Sequence, residues 1–229
     1  MTLPNKLSIL RICMVPLFIV AYFLPFTWGA FVAVGIFVLA AVTDFLDGYI
    51  ARKYNMVSDL GKLLDPIADK VLVCAALFCV VATNPLRYLT YIDSGYRPDW
   101  IIMDSHAWAE GFGMILLTVG AILIISRELL VSALRQISAS KGIVMPANIF
   151  GKIKTIVQDV SLPLLVLLHG ANMIATSDRV SLSGIGYVPS LFYTVIWWIA
   201  VALFAVSIIL TVVSGVIYLI QSRKVFANK

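Results

Sequence analysis

Charged side chains are scarce in this chain. Only 13% of its 229 residues are Asp, Glu, Lys or Arg, whereas 61% are hydrophobic. Soluble domains carry about a quarter charged residues, so this composition excludes a soluble globule, a disordered chain and a coiled coil. Histidine and cysteine are also rare, at 2 and 3 residues, and their positions fit neither a zinc site nor a disulfide framework. The net charge of +5 indicates a basic rim at a membrane surface and no nucleic-acid partner.

Long apolar runs take the place of the missing charge. A helix needs about 20 apolar residues to cross the hydrocarbon core of a bilayer, and six stretches reach or approach that length. They cover residues 9–26, 31–49, 61–82, 112–132, 149–169 and 193–220. The pattern predicts an all-α integral membrane protein, a six-transmembrane-helix bundle that forms a single domain over residues 1–229.

The basic residues are distributed unevenly between the two sides of this predicted bundle. If both termini lie on one side, 14 of the 17 Lys and Arg residues fall on that side or at the helix ends nearest it. Basic residues concentrate in cytoplasmic loops. We therefore expect a multi-pass protein of the cell (inner) membrane with both termini in the cytoplasm, and external loops over about residues 84–110 and 170–190.

Four aspartates interrupt the second and third spans. Asp44 and Asp47 are three residues apart, and Asp65 and Asp69 are four apart, so each pair shares one helix face. A carboxylate at the bilayer centre costs about 2.5–3.5 kcal/mol, so four unpaired acids would cost on the order of 10 kcal/mol. Two hard divalent cations, Mg²⁺ or Mn²⁺, would neutralise them, because such ions bind carboxylate oxygens.

The residues beside these acids favour a phosphate ligand. Gly48 and Gly61 allow a ligand to approach the backbone closely. Arg52, one helical turn beyond Gly48, can pair with a phosphate. Metal ions together with an arginine are the combination that phosphoryl-transfer sites use on a pyrophosphate.

The whole pattern resembles the signature of the CDP-alcohol phosphotransferases, with every fixed position filled: Asp44, Asp47, Gly48, Ala51, Arg52, Gly61, Asp65 and Asp69. Members of this family displace CMP from a CDP-linked donor with an alcohol. The resemblance implies that Asp44, Asp47 and Asp65 hold two divalent ions with Asp69 near them, and that Asp69 is the general base. It also implies that CDP-diacylglycerol is bound by Asn5, Gly48, Ala51, Arg52 and Gly61.

A second polar cluster bears on the acceptor alcohol. Arg127 and Arg135 are eight residues apart, about two helical turns, and therefore share a face. Lys152 and Lys154 open the next span, and four cations at one mouth favour an anionic acceptor. The cluster is similar to that of the phosphatidylglycerophosphate synthases within the family, which implies that Arg127, Arg135, Lys152 and Lys154 bind the phosphate of the acceptor. Residues 3–11 are similar to the short amphipathic N-terminal helix of these enzymes.

The resemblance therefore implies metal-dependent transfer of the phosphatidyl group from CDP-diacylglycerol to sn-glycerol 3-phosphate, giving phosphatidylglycerophosphate and CMP. It also implies a homodimer surrounded by membrane lipid. A cardiolipin synthase or an inositol-phosphate synthase of the same family remains an alternative, because charge alone does not separate these acceptors. A cation transporter would need acids near the membrane midplane and a polar path beyond them, whereas these acids crowd one end of their spans.

Overall fold

The computed structural model describes residues 3–26, 28–54, 59–87, 99–140, 148–181 and 191–227, and the regular secondary structure in this part of the chain is all helical. One short 3-10 turn, Pro85–Arg87, accompanies six long helices. The long helices are α1 (Leu3–Phe23), α2 (Gly29–Tyr54), α3 (Asp59–Thr83), α4 (Asp99–Ser140), α5 (Ile149–Ser181) and α6 (Leu191–Ala227). The expected all-α architecture is confirmed for the described residues, and each predicted span overlaps one of these helices; the first extends three residues past the end of α1.

Four of the helices are long and apolar enough to cross a membrane over the residues described. Their apolar segments are Lys6–Phe23, Gly111–Ser140, Ile149–Met173 and Val195–Ser222. Helices α2 and α3 contribute shorter apolar segments, Gly29–Asp44 and Lys70–Thr83. The predicted count of six spans fits this set of four long and two shorter segments.

The N-terminal region differs from the expectation of a separate short amphipathic helix. Residues from Leu3 onward are part of α1, which runs without interruption to Phe23. Pro4 lies in the first turn, where its missing N–H costs no hydrogen bond, so it favours a helix start. Pro16 lies inside the helix without ending it. No break in the sequence separates an entry helix from the first span, and the two expected elements are one.

Both expected external loops are partly helical. Helix α4 begins at Asp99, within the segment that was expected to form a loop as far as residue 110. Helix α5 continues past His169 to Ser181, three turns into the second expected loop. The apolar segments themselves, Gly111–Ser140 and Ile149–Met173, begin and end close to the expected loop limits. The helices extend past them because a helix can continue through polar residues beyond an apolar segment.

The helices pack around an apolar core. Helix α1 contacts α2 and α3, α5 contacts α2, α3 and α6, and α6 also contacts α4. Large side chains such as Phe18, Phe37 and Phe204 are buried between them. Many apolar side chains point outward instead, as expected where lipid replaces water around the protein; examples are Leu17, Val20, Phe78, Phe112, Ile122 and Ile209.

Tyr22 connects three helices at one end of the bundle. The ring of Tyr22 on α1 stacks on His169 of α5 with 4.5 Å between centroids. Its hydroxyl lies 2.6 Å from Oγ1 of Thr83 at the end of α3. His169 therefore packs against an aromatic ring, some 18 residues or about 27 Å along α5 from the polar cavity described below.

Candidate active site

The aspartates of the motif lie on two helices that follow one another in the chain. Helix α2 carries Asp44, Asp47, Gly48, Ala51 and Arg52, and α3 carries Gly61, Asp65 and Asp69. Apart from Asp44, the side chains of this set lie outside the described residues, as does that of Asn5. The convergence of the four carboxylates and the donor-binding role of Asn5 therefore stay predictions.

Asp44 is the motif acid whose side chain is described. Its Oδ1 lies 2.7 Å from Nη1 of Arg11 on α1. The Arg11 side chain is 1% exposed, whereas that of Asp44 is 48% exposed. Sequence analysis named Arg52 and other motif residues but did not pair Arg11 with an acid. The available signal was a basic residue within the apolar run of the first span.

The donor set of the motif fits a hard divalent cation in its chemistry, since it consists of carboxylate oxygens. The described side chains include no group of three or more His, Cys, Asp or Glu that could hold a metal ion. Asp47, Asp65 and Asp69 lie outside that set, so the metal site remains a prediction that rests on the motif.

A buried ion cluster connects α4 to α5. Oε1 of Glu128 lies 2.5 Å from Nζ of Lys154 and 2.9 Å from Nη1 of Arg127. The Lys154 side chain is 1% exposed, and that of Arg127 is 10% exposed. Two buried cations share one carboxylate, so each has the counter-charge that burial requires. Glu128 lies within an apolar span, where an acid needs a basic partner, and the two cations supply it.

Arg127 passes between two glycines. Its Nε donates a hydrogen bond to Oγ of Ser214 on α6, at 3.2 Å. A Cβ at Gly215 would lie 3.4 Å from Cγ of Arg127, and a Cβ at Gly151 would lie 3.1 Å from its Nη2. The absence of side chains at these two positions lets the guanidinium lie directly against the first turn of α5.

Tyr218 on α6 contacts both arginines of the predicted acceptor cluster. Its hydroxyl oxygen accepts hydrogen bonds from Nη2 of Arg135 at 2.5 Å and from the backbone N–H of Asn148 at 3.1 Å. Its ring centroid lies 5.5 Å from Cζ of Arg127 and 5.2 Å from Cζ of Arg135, within cation–π range. Sequence analysis missed this residue, because a tyrosine in an apolar span carries no local signal of a site.

The N-terminus of α5 opens toward the same place. Asn148 caps the helix, since its Oδ1 accepts a hydrogen bond from the N–H of Phe150 at 3.1 Å. The first N–H groups of a helix carry a partial positive charge and favour anions. The N-terminus of α5 therefore adds a partial positive charge beside the arginines.

A partly open cavity of about 450 Å³ lies among these groups. It is lined by Lys70, Arg127, Glu128, Val131, Ser132, Arg135, Gln136, Asn148, Gly151, Lys152, Thr155 and Tyr218. The structure thus brings Arg127, Arg135 and Lys152 to one space, which we call the acceptor cavity. Lys154 does not line it; with Glu128, this lysine lines a small adjoining cavity of about 40 Å³.

The acceptor cavity adjoins the helix that carries two of the motif acids. Lys70 on α3 lines it and donates a hydrogen bond to Oγ of Ser132 on α4. Asp69, the predicted base, directly precedes Lys70 in the chain. The backbone of α3 therefore brings the position of the predicted base next to the cavity wall, although the Asp69 side chain is not described.

Comparison with known proteins identifies relatives of this chain. The family model described as CDP-alcohol phosphatidyltransferase matches residues 1–177. The chain is 31% identical over 224 residues to a CDP-diacylglycerol–glycerol-3-phosphate 3-phosphatidyltransferase of Rickettsia bellii. This match covers 98% of this chain and 97% of the relative. It is 37% identical over 178 residues to the protein of the same name from Bacillus subtilis, and this match covers 72% of this chain and 76% of the relative.

A relative with a different printed name also matches. The chain is 38% identical over 189 residues to a cardiolipin synthase (CMP-forming) of Oryza sativa, covering 81% of this chain and 51% of the relative. Two of these three relatives share one name and the third has another, while the family model covers more than half of this chain. The chain belongs to the CDP-alcohol phosphatidyltransferase family, as its motif of aspartates and glycines predicts.

Proposed function

We propose that the protein transfers the phosphatidyl group of CDP-diacylglycerol to sn-glycerol 3-phosphate, releasing CMP and forming phosphatidylglycerophosphate. The observation that carries this proposal is the acceptor cavity, where Arg127, Arg135 and Lys152 meet the N-terminus of α5 beside α3. The relative from Rickettsia bellii, which matches over nearly the full length of both chains, is named for this reaction.

The charge of the cavity region supports an anionic acceptor. Arg127, Arg135, Lys152 and Lys154 bring four positive charges, and Glu128 offsets one of them. Arginine forks match the oxygens of a phosphate, and a helix N-terminus adds a partial positive charge. A phosphate monoester satisfies this set better than choline or ethanolamine, which are cations, or serine, which has no net charge.

The donor side follows the motif. We propose that Asp44, Asp47, Asp65 and Asp69 hold two Mg²⁺ or Mn²⁺ ions, and that Asn5, Gly48, Ala51, Arg52 and Gly61 bind CDP-diacylglycerol. Such ions, when bound, neutralise the pyrophosphate and the departing CMP. The pairing of Asp44 with buried Arg11 supports the metal proposal indirectly, because it holds one carboxylate in place against α1.

The transfer step requires a base for the acceptor hydroxyl. In this proposal Asp69 takes the proton of that hydroxyl while its oxygen bonds to the phosphorus next to diacylglycerol. The bond from that phosphorus to the bridging oxygen breaks, and CMP leaves with that oxygen. Lys70, next to Asp69 in the chain, lines the acceptor cavity, so an acceptor held there lies beside the helix that carries the base.

The proposal also assigns an orientation and an assembly. The excess of Lys and Arg on one side supports cytoplasmic termini and a cytoplasmic active site in a cell membrane. The resemblance to the family supports a homodimer. A cysteine-labelling map of the termini from each side of sealed vesicles would test the orientation.

A second acceptor has specific support. The relative from Oryza sativa is named a cardiolipin synthase, which makes phosphatidylglycerol a candidate acceptor. That lipid carries a phosphodiester with one negative charge, so it would leave more of the cationic cluster uncompensated than glycerol 3-phosphate does. An inositol phosphate is also a phosphate monoester, so the site would have to distinguish it from glycerol 3-phosphate by its larger size.

An acceptor screen tests the proposal. Purified protein in lipid nanodiscs receives CDP-diacylglycerol, Mg²⁺ and one of glycerol 3-phosphate, phosphatidylglycerol, inositol phosphate or serine, and CMP release is measured. We expect the fastest release with glycerol 3-phosphate. Faster release with phosphatidylglycerol would instead identify a cardiolipin synthase, and no release with any alcohol would end the enzyme proposal.

A further inference from the structure

Tyr218 joins three of the helices that line the acceptor cavity. It belongs to α6, contacts Arg127 and Arg135 of α4, and accepts a hydrogen bond from the N–H of Asn148 at the start of α5. Tyr218 is also fully buried. It lies beyond residue 177, where the match to the family model ends. The family signature therefore assigns it no role.

We infer that Tyr218 is a positioning residue that holds Arg127 and Arg135 together on one phosphate monoester. This inference rests on the proposed function and adds to it the group that fixes the geometry of the acceptor cavity. It makes Tyr218 a determinant of acceptor recognition, without contact to the reacting atoms.

Two like charges lie close to one ring in this arrangement. Positions 127 and 135 are about 12 Å apart along α4, yet both guanidinium carbons lie within 5.5 Å of the Tyr218 centroid. Guanidinium groups repel each other, and the negative face of an aromatic ring offsets part of that repulsion. The ring therefore permits an approach of the two cations that would otherwise be unfavourable before an anion binds.

The two arginines depend on Tyr218 to different degrees. Arg127 is nine-tenths buried and has further contacts to Ser214 and Glu128. Arg135 is exposed, and the hydroxyl of Tyr218 is its described hydrogen-bond partner. A long exposed arginine without an anchor samples many rotamers, and fixing it costs conformational entropy on binding. The hydroxyl of Tyr218 therefore matters chiefly through Arg135.

The hydroxyl also ties this arginine to the N-terminus of α5. One phenolic oxygen has two lone pairs, and here they accept from Arg135 and from the N–H of Asn148. The guanidinium and the first turn of α5 are thus held at a fixed distance from each other. A phosphate monoester bound by the Arg135 guanidinium therefore lies close to the positive end of α5.

The test compares two tyrosines. Tyr218→Phe keeps the ring and removes the hydroxyl, and Tyr22→Phe is the matched control, because Tyr22 is equally buried and bonds Thr83 far from the cavity. We expect Tyr218→Phe to raise KM for glycerol 3-phosphate about tenfold, as for a lost hydrogen bond to a charged group. The kcat value and KM for CDP-diacylglycerol should stay within about twofold of wild type, as should all constants of Tyr22→Phe.

A second pair of variants separates positioning from packing. In an Arg135→Ala background, Tyr218→Phe should change KM for glycerol 3-phosphate by less than about twofold, because its effect passes through Arg135. A full additional tenfold loss would overturn the inference. If Tyr218→Phe does not fold, Arg135→Lys tests the same contact from the other partner; an unchanged acceptor KM in that variant would also overturn it.

Phosphate binding distinguishes failure of this inference from failure of the proposed function. If wild type releases no CMP with glycerol 3-phosphate, the proposed function fails, and binding of inorganic phosphate is then measured by titration calorimetry. Tyr218→Phe should bind phosphate about tenfold more weakly than wild type and Tyr22→Phe. Equal affinities in all three proteins would show that Tyr218 does not organise an anion site.

Discussion

Arg11 and Asp44 form an ion pair, 2.7 Å from Nη1 to Oδ1, that connects α1 to the first aspartate of the family motif. The arginine is almost completely buried, whereas the aspartate is half exposed. A buried guanidinium requires a counter-charge, and Asp44 supplies one from the neighbouring helix. The pair therefore does two things at once, since it satisfies a cation in the core and fixes the direction of a proposed metal ligand.

A double-mutant cycle on this pair should show coupling. Arg11→Met and Asp44→Asn should each lower the free energy of unfolding, and the double variant should lose less than the sum. Because Asp44 is half exposed and solvent screens the pair, we expect a coupling energy of about 1 kcal/mol. Reversible denaturation in detergent measures it. Strictly additive losses would mean that the pair contributes nothing to stability.

The proposed metal site gives a prediction for activity. Removal of divalent ions with EDTA should abolish CMP release, and Mg²⁺ or Mn²⁺ should restore it. Asp69→Asn should lower kcat by at least about a hundredfold, because an amide cannot accept the proton of the hydroxyl, while donor binding remains. Binding of CDP-diacylglycerol to the variant, measured by titration in the presence of Mg²⁺, separates the two effects. Near-normal kcat in Asp69→Asn would contradict its assignment as the base.

The sequence predicted the helices and the polar clusters because both depend on local patterns. Apolar runs identified each of the six helices, and the eight-residue spacing of Arg127 and Arg135 placed them on one face. Helix ends were harder to predict from the sequence, since α4 begins at Asp99 and α5 extends to Ser181. Hydropathy does not register the polar continuation of a helix, so these limits required the structure.

The contacts that sequence analysis missed join residues far apart in the chain. Tyr218 lies 83 residues from Arg135, and no periodicity connects them. The different positions of Lys152 and Lys154 were also not predicted from the sequence. Two residues two positions apart point to different sides of a helix, so one lines the acceptor cavity while the other pairs with Glu128. Counting cations along the chain could not separate these two positions.

Glu128 should be essential to the stability of the region between α4 and α5. Glu128→Gln leaves Lys154 and Arg127 without their shared carboxylate, and a buried cation that loses its partner costs about 3 kcal/mol. Adding Lys154→Met to this variant removes the more deeply buried cation and should recover at least half of the lost unfolding free energy. The thermal midpoints of the two variants and wild type provide the measurement. A double variant less stable than Glu128→Gln would show that Lys154 contributes through other contacts.

Gly151 should matter for the acceptor because of what a side chain there would displace. In Gly151→Ala the new methyl would lie 3.1 Å from Nη2 of Arg127, so the guanidinium must shift away from α5. Since Ser214 and Glu128 hold that guanidinium, the shift should cost about 1 kcal/mol and raise KM for glycerol 3-phosphate about fivefold.

Gly35→Ala is the control for this substitution, because a Cβ at Gly35 on α2 meets no atom within 4 Å. It should leave both KM values unchanged and raise the free energy of unfolding by about 0.5–1 kcal/mol through helix propensity. Steady-state kinetics with each substrate varied in turn compares the two variants. If Gly151→Ala altered KM for CDP-diacylglycerol as much as that for glycerol 3-phosphate, the methyl would be acting on the whole site, and Arg127 would lose its assignment to the acceptor.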